Sequence, residues 1–131
     1  MKKTGLLNSE LSKVISELGH TDQIVICDAG LPIPPNVKRI DLALTPGLPP
    51  FLDTLRAVLL EMQVEKVIVA KEIQTASPDL LKQIDSLLAG VEQASVSHEE
   101  FKQRTSQAKA IIRTGECTPY ANVILQAGVI F

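Results

Sequence analysis

Apolar residues near the start of the chain recur at the spacing of an α-helix. They form one face made of Leu7, Leu11, Val14, Ile15 and Leu18. Because Asn8 and Ser9 are good N-cap residues, the pattern predicts an amphipathic helix over residues 8–18. Gly19 is expected to adopt the left-handed conformation that often ends a helix. His20 would then lie at the C-terminus of this helix.

The rest of the chain alternates short apolar runs with amphipathic segments. Strands are predicted over residues 23–27, 37–44, 66–70, 91–96, 109–113 and 122–126, and helices over residues 51–62, 77–88 and 98–107. Pro78 suits the first position of its helix, and Ser97 with Glu100 forms an S-x-x-E capping box. The alternation predicts a three-layer α/β/α fold with a mainly parallel, mixed sheet of about six strands. The close spacing of the last two strands predicts that they form an antiparallel pair at the sheet edge.

The size and the ending of the chain add two expectations. With 131 residues, the chain is expected to form a single domain over residues 1–131. Its last four residues are Gly-Val-Ile-Phe. Because termini usually fray, an apolar terminus is expected to be buried either in the body of the protein or in a neighbouring subunit.

Composition excludes several classes of protein. The net charge is −2 and the sequence pI is about 5.7, whereas nucleic-acid binders usually carry a basic face. The two cysteines, Cys27 and Cys117, form no CxxC motif and have no metal-ligand spacing. No signal peptide and no apolar stretch of membrane-spanning length is recognisable, so a soluble, cytoplasmic protein is expected.

The two histidines are the first candidates for chemistry, because each is predicted at the end of a helix. A helix C-terminus at His20 favours a charged imidazolium, whereas a helix N-terminus at His98 disfavours it. Asp28 follows the first predicted strand, at the kind of position where open α/β sheets bind ligands. Lys102 lies one turn after His98 on the same helical face.

Two further candidates precede the last strand. Tyr120 and Asn122 alternate in sequence, so they are expected to point to the same side of an extended segment. Several of these candidates also have a purely structural interpretation. Asp28 could cap a turn, His20 could satisfy free helix carbonyls, and Tyr120 could be a half-buried surface aromatic.

Metal and cofactor chemistry have little support in the sequence. Two histidines and one aspartate match the inventory of a facial metal triad, but no pair has a local spacing such as HxH or HxxxH. The motifs GxGxxG, GxxxxGK[ST] and GxSxG are all missing. We therefore expect neither a metal nor a cofactor.

Taken together, these residues resemble a known family. The segments that carry the resemblance are Gly19-His20, Asp28-Ala29-Gly30, His98 with Lys102, Thr114-Gly115-Glu116 and Pro119-Tyr120-Ala121-Asn122. The chain resembles the ribose pyranase and fucose mutarotase family over nearly its whole length. The resemblance implies cofactor-independent interconversion of the cyclic forms of a free sugar. For the ribose branch, this is β-pyranose to β-furanose conversion with mutarotation.

The resemblance also implies roles for individual residues. It makes His20 the proton donor and makes Asp28, His98, Tyr120 and Asn122 contacts to the sugar, with Lys102 as a further contact. It implies a ring-shaped homo-oligomer, a decamer in the ribose branch, with the active site near subunit contacts.

Three alternatives stay open at this point. They are a fucose mutarotase, a non-catalytic sugar-binding or regulatory module, and a small metal-dependent hydrolase or lyase. The general base is also open, between His98 and a bound water, and so is whether His20 meets His98 within one chain or across two.

Overall fold

A computed structural model describes residues 1–131 and contains six strands and five helices. In chain order they are α1 (Ser9–Glu17), β1 (Gln23–Cys27), β2 (Lys38–Asp41), α2 (Phe51–Leu59), β3 (Val64–Ala70), α3 (Ile73–Ala76), α4 (Pro78–Leu87), β4 (Glu92–Val96), α5 (His98–Thr105), β5 (Ala110–Arg113) and β6 (Val123–Ala127). Every predicted helix and strand is present, and α3 is the one element that the pattern did not predict. The predicted α/β class with a mixed sheet of six strands is confirmed.

Helix α1 begins as its sequence predicts and ends differently. The Asn8 side chain accepts a hydrogen bond from the Leu11 N–H at 2.9 Å, which satisfies a free donor of the first turn. Leu18 then leaves the helix in an extended conformation, and the positive φ of 71° falls on Thr21. The prediction of a left-handed Gly19 is wrong. Its N–H instead donates to the Asp22 carboxylate at 2.9 Å, which holds the turn.

The strands form one sheet in the order β2-β5-β1-β6-β3-β4. β5 is parallel to both β1 and β2, and β4 is parallel to β3. β6 lies in the middle of the sheet and is antiparallel to both β1 and β3. The prediction of an antiparallel β5–β6 edge pair is therefore wrong. The buried run of Val123, Ile124 and Leu125 needs cover on both faces, which an interior strand provides.

Helices cover the two faces of the sheet unequally. The larger hydrophobic cluster joins residues of α1, α2 and α4 to one face, and it includes Phe51 and Ile84. The smaller cluster, on the other face, is built around Phe101 of α5. Successive residues of β1 alternate between the two clusters, with Ile26 in the first and Val25 in the second. This alternation confirms the three-layer arrangement.

The apolar C-terminus is exposed in the single chain. Ile130 is 89% exposed and Phe131 is fully exposed, so burial in the body of the protein, one of the two expectations, is wrong. Gly128 anchors the segment by donating its N–H to the Gln63 carbonyl at 2.9 Å. None of the helices has the length and apolar character needed to cross a bilayer.

Candidate active site

One edge of the sheet, formed by the C-terminal ends of β1, β3 and β4 and the start of β6, brings together residues that are distant in sequence. Val123, the first residue of antiparallel β6, lies opposite Ile26 near the end of β1 and opposite Val69 near the end of β3. β4 runs parallel to β3 and also ends at this edge. The residues that follow β1 and β4 and those that precede β6 therefore meet here. They are Asp28, His98, Tyr120 and Asn122.

A pocket of about 300 Å³ opens at this edge. Its lining residues are Asp28, Gly30, Leu31, Pro32, His98, Pro119 and Tyr120. Three predicted site residues therefore share one cavity, with a carboxylate, an imidazole and a phenol as its polar groups. The combination is suited to hydrogen bonding with a polar ligand and to proton transfer.

The Asp28 carboxylate is held in place by a clamp. Asn122, only 1% exposed, accepts from the Asp28 N–H at 2.9 Å and donates from Nδ2 to Oδ2 of Asp28 at 3.1 Å. The other carboxylate oxygen accepts from the Gly30 N–H at 2.9 Å, so Asp28 does cap a turn. Turn capping and site membership therefore coexist. The buried amide of Asn122 orients Asp28, a contact that sequence spacing did not predict.

Tyr120 reaches the pocket from a turn. Its φ is 61°, an unusual value for a residue with a bulky side chain, and β6 begins only at Val123. The prediction that Tyr120 and Asn122 lie along one extended segment is wrong. The Tyr120 ring packs edge-on against the His98 imidazole, with centroids 5.1 Å apart and planes at 83°. Strained backbone at a pocket wall is typical of functional sites.

His98 occupies the first turn of α5 as predicted, but its surroundings are not those of a bare helix N-terminus. Ser97 caps the helix by accepting from the Glu100 N–H at 3.1 Å. The Glu72 carboxylate accepts from the His98 N–H with both oxygens, at 2.9 and 3.1 Å. This negative charge offsets the positive end of the helix. The buried Nδ1 of His98 has no hydrogen-bond partner within the chain, and the residue lines the pocket.

Lys102 does not line the pocket. It lies one turn after His98, and its ammonium pairs with the Glu99 carboxylate at 2.6 Å. The hydrogen bond and positive charge of Lys102 hold the pKa of Glu99 below its usual value. Lys102 is therefore close to the pocket along α5 but already has a partner.

His20 lies at the opposite edge of the sheet from the pocket. The neighbouring Thr21 N–H donates to the carbonyl of Ala127, the last residue of β6, at 2.9 Å. The five residue-to-residue steps from Gln23 to Asp28 alone span about 17 Å at the usual strand rise of about 3.3 Å. A single chain therefore does not bring His20 together with the other predicted site residues.

A carboxylate that the sequence did not single out holds His20. Nε2 of His20 is 2.9 Å from Oε2 of Glu65, the second residue of β3. Oε1 of Glu65 accepts from the Gln126 side chain at 2.8 Å. These hydrogen bonds, the one from Gln126 first, hold the pKa of Glu65 below its usual value. The pairing joins residues 45 positions apart, so no local spacing could have predicted it.

Glu116 braces the loop that leads to Tyr120. Its Oε1 accepts from the Phe51 N–H at 3.0 Å, which caps α2 where Pro50 cannot. Its Oε2 accepts from the Thr118 hydroxyl at 2.9 Å. Partial burial raises the pKa of Glu116, but these hydrogen bonds outweigh it and leave the pKa below its usual value. In the sequence, Glu116 stands out only within Thr114-Gly115-Glu116, one of the segments that carry the resemblance.

Two further side chains fix the loop that carries Asp28. The Thr114 hydroxyl donates to the Cys27 carbonyl at 2.7 Å, and the Arg113 guanidinium donates to the Ala29 carbonyl at 3.1 Å. Cys27 is buried, as predicted, and burial raises the pKa of its thiol to about 12. No group of three or more histidine, cysteine or acidic side chains is arranged to hold a metal ion.

Comparison with known proteins gives full-length matches. Residues 1–130 match the RbsD / FucU transport protein family. The chain is 58% and 60% identical to the D-ribose pyranases of Vibrio campbellii and Aliivibrio fischeri, with all of each chain covered. It is similar to Bacillus subtilis RbsD complexed with D-ribose, with a TM-score of 0.97 and 57% identity over both full chains.

A more distant similarity points to the second branch of the family. The fucose mutarotase of Streptococcus pneumoniae in complex with L-fucose matches with a TM-score of 0.82 and 25% identity, over 95% of each chain. The family match extends across nearly the whole sequence, and the curated relatives share well over half of its residues. The chain therefore belongs to the RbsD / FucU transport protein family.

Proposed function

We propose that this protein is an isomerase that interconverts the β-pyranose and β-furanose forms of free D-ribose and also has mutarotase activity. One observation carries the proposal. The chain is 57% identical, over both full lengths, to a protein whose structure is complexed with D-ribose. The pocket supports it, because its polar groups suit a small polyhydroxylated ring better than an apolar ligand.

The reaction needs only proton transfers. Ring opening removes a proton from the anomeric hydroxyl and delivers one to the ring oxygen, and closure through another hydroxyl reverses the process. No electrons leave the sugar, and general acid–base catalysis typically contributes about 10²–10⁴-fold. His20 is the proposed donor to the ring oxygen, while His98 or a bound water takes the anomeric proton.

The remaining site residues are proposed to bind the sugar hydroxyls. Asp28, His98 and Tyr120 would contact them directly in the pocket. Asn122 already uses its amide oxygen and one N–H in hydrogen bonds to Asp28. It would therefore bind the sugar only with its remaining N–H or lone pair, and it would also orient the Asp28 carboxylate towards the sugar. Lys102 would contribute after exchanging its partner Glu99 for the sugar.

We propose that His20 acts in the pocket of a neighbouring subunit. Within one chain it lies beyond the far end of β1, whereas the pocket needs a proton donor. The exposed Ile130 and Phe131 follow Gly128, which is anchored beside Glu65 at the His20 edge, so this edge also carries apolar surface for subunit contact. A ring-shaped homo-oligomer, a decamer by family resemblance, would repeat the contact around the ring.

Complementation tests this arrangement. We would co-express His20→Ala and Asp28→Ala chains with different tags and isolate the mixed oligomers. The exchange rate of ribose anomers is measured by NMR saturation transfer. Each variant alone should be inactive, with ribose binding still measurable in His20→Ala, whereas random mixing restores about one quarter of the sites. No recovery in mixed oligomers would mean that His20 acts within its own chain, and full activity of His20→Ala alone would refute its role.

The same assay separates ribose from fucose as the substrate. The chain is less similar to the fucose mutarotase of Streptococcus pneumoniae than to the ribose-complexed protein, at 25% against 57% identity. We therefore expect faster catalysed exchange on ribose than on L-fucose at equal concentration. Unchanged rates on both sugars would instead indicate a non-catalytic binding module. A cytoplasmic location is proposed as well, since both cysteines carry free thiols.

A further inference from the structure

A chain of side-chain hydrogen bonds ends at His20. Nε2 of Gln23 donates to Oε1 of Gln126 at 3.1 Å, and Nε2 of Gln126 donates to Oε1 of Glu65 at 2.8 Å. Oε2 of Glu65 is then left to meet Nε2 of His20 at 2.9 Å. Strand pairing supports this order, because Gln23 lies opposite Gln126 between β1 and β6.

The backbone around His20 is held as firmly as its side chain. The Gly19 N–H donates to the Asp22 carboxylate at 2.9 Å, and the Thr21 N–H donates to the Ala127 carbonyl at 2.9 Å. The turn between α1 and β1 is thus tied to β6 on one side of His20 and closed on itself on the other. The imidazole is approximately half exposed, with one nitrogen engaged and the other open to a partner.

We infer that Glu65 is a positioning residue for His20, and that Nδ1 of His20 is the nitrogen that exchanges a proton with the sugar. This inference rests on the proposed function, in which His20 is the donor. A carboxylate is only an acceptor, so it selects the form of the ring that carries a proton on Nε2. Nδ1 is then the free position, protonated before transfer and bare after it.

The proton balance of the cycle is closed. The imidazolium loses the proton of Nδ1 to the ring oxygen and keeps the Nε2–H that points at Glu65. A base takes the anomeric proton in the same ring opening, and closure returns both protons. Glu65 exchanges no proton at any step. Because the ion pair is exposed, its contribution to stability is small, and its effect lies in fixing one tautomer and one orientation of the ring.

Substitution of Glu65 by Gln tests the inference. An amide keeps an oxygen at only one of the two positions that the carboxylate oxygens occupy, so it cannot accept from Gln126 at one position and from His20 at the other. If Gln126 keeps the amide oxygen, the NH₂ group faces Nε2 of His20 and favours the opposite tautomer. Loss of the carboxylate partner of a metal-bound histidine typically changes activity by about 10–100-fold, and we expect an effect of similar size at His20. We therefore expect kcat for ribose exchange to fall about 10-fold or more, with KM changed less than about 2-fold.

A matched control is the substitution Glu92→Gln. Glu92 is an exposed carboxylate on the neighbouring strand β4 that pairs with Lys66 at 3.0 Å and does not contact His20. The intact oligomer of each variant is compared with the parent protein by ribose exchange and by ¹⁵N NMR of the imidazole nitrogens. The parent and Glu92→Gln should both give the Nε2–H pattern for neutral His20, whereas Glu65→Gln should lose it. Glu65→Ala, which removes the partner altogether, should shift the ¹⁵N signals of His20 towards those of the tautomer mixture of a free imidazole.

The outcomes separate this inference from the proposed function. An unchanged His20 spectrum in both Glu65 variants overturns the inference. An altered spectrum with unchanged kcat also overturns it, because the pairing would then have no effect on catalysis. In either case an active parent protein and an inactive His20→Ala variant leave the proposed function standing. A parent protein that does not accelerate ribose exchange overturns both.

Discussion

The hydrogen bond from Asn122 to the Asp28 carboxylate can be turned into a repulsive contact by changing one heavy atom. In Asn122→Asp, an oxygen replaces the Nδ2 that now donates to Oδ2 of Asp28 at 3.1 Å. The shape of the side chain and the acceptor for the Asp28 N–H are both kept. A favourable hydrogen bond thus becomes a contact between two carboxylates at a position that is 1% exposed.

The magnitude follows from the distance. Two full charges 3.1 Å apart repel by about 5 kcal/mol at an effective dielectric constant of about 20. The pair can avoid this repulsion by retaining one proton. At pH 7 that costs about 4 kcal/mol, because pH 7 is about three units above the ordinary pKa of an aspartic acid and each unit is worth about 1.4 kcal/mol. Retention is the cheaper route, so we expect a loss of about 4 kcal/mol in the free energy of unfolding at pH 7.

The sign of the pH dependence distinguishes this cause from poor packing. A carboxyl whose pKa is raised by folding does not lower the stability at a pH where it is protonated in both the folded and the unfolded state. The loss of stability grows as the pH rises above the pKa of that carboxyl in the unfolded state. The destabilisation should therefore fall to less than about 1 kcal/mol at pH 4, where one proton is retained almost freely. Urea unfolding at equal protomer concentration, at pH 7 and pH 4, measures both values.

Asn8→Asp is the matched control. It makes the same chemical change at the N-cap of α1, where a negative charge is favourable and aspartate caps as well as asparagine. We expect no loss of stability at pH 7 for this variant. Equal destabilisation of Asn122→Asp at pH 7 and pH 4 would refute the electrostatic reasoning and point to a packing defect instead.

Three more predictions concern the loops around the pocket. Glu116→Gln should lower the free energy of unfolding by about 1–3 kcal/mol at pH 7. Because folding lowers the pKa of Glu116, the stability difference between the parent protein and this variant should shrink as the pH falls through the lowered pKa. Gly115→Ala would place its Cβ 2.6 Å from the backbone nitrogen of Leu48 and should lower the free energy of unfolding by about 1–3 kcal/mol, measured by thermal unfolding. In the control Gly19→Ala no atom lies closer than 3.5 Å to the added Cβ, so the free energy of unfolding should change by less than about 0.5 kcal/mol. A thiol reagent at pH 8 should label only the exposed Cys117, and rapid labelling of Cys27 in the folded protein would contradict its burial and its pKa of about 12.

The helix and strand segments could be predicted because their signals are local. The N-caps at Asn8 and Ser97 each act within three residues, and both are present in the structure. The elements whose ends were misjudged depend on distant contacts. The left-handed conformation predicted for Gly19 occurs instead at Thr21, because the Asp22 carboxylate closes the turn and the Thr21 N–H bonds it to β6.

The position of β6 could not be predicted from its spacing after β5. The connection of residues 114–122 is long enough to cross the end of β1, and burial on both faces then favours an interior position. That one placement gathers the site, because an antiparallel β6 brings the residues before it to the edge where β1 and β4 end.

By itself, the sequence determined the fold class, the order of the elements and the identity of the polar residues that family resemblance assigns to the site. Periodicity, caps and apolar runs act over a few residues, so they can be recognised along the chain. Only the tertiary structure decided which polar groups meet. The Asn122 clamp on Asp28 spans 94 residues, and the Glu65 partner of His20 spans 45. The tertiary structure also decided that His20 lies at the opposite edge of the sheet from the pocket. Which side chains meet across a sheet depends on strand order and register, and no local sequence pattern encodes these.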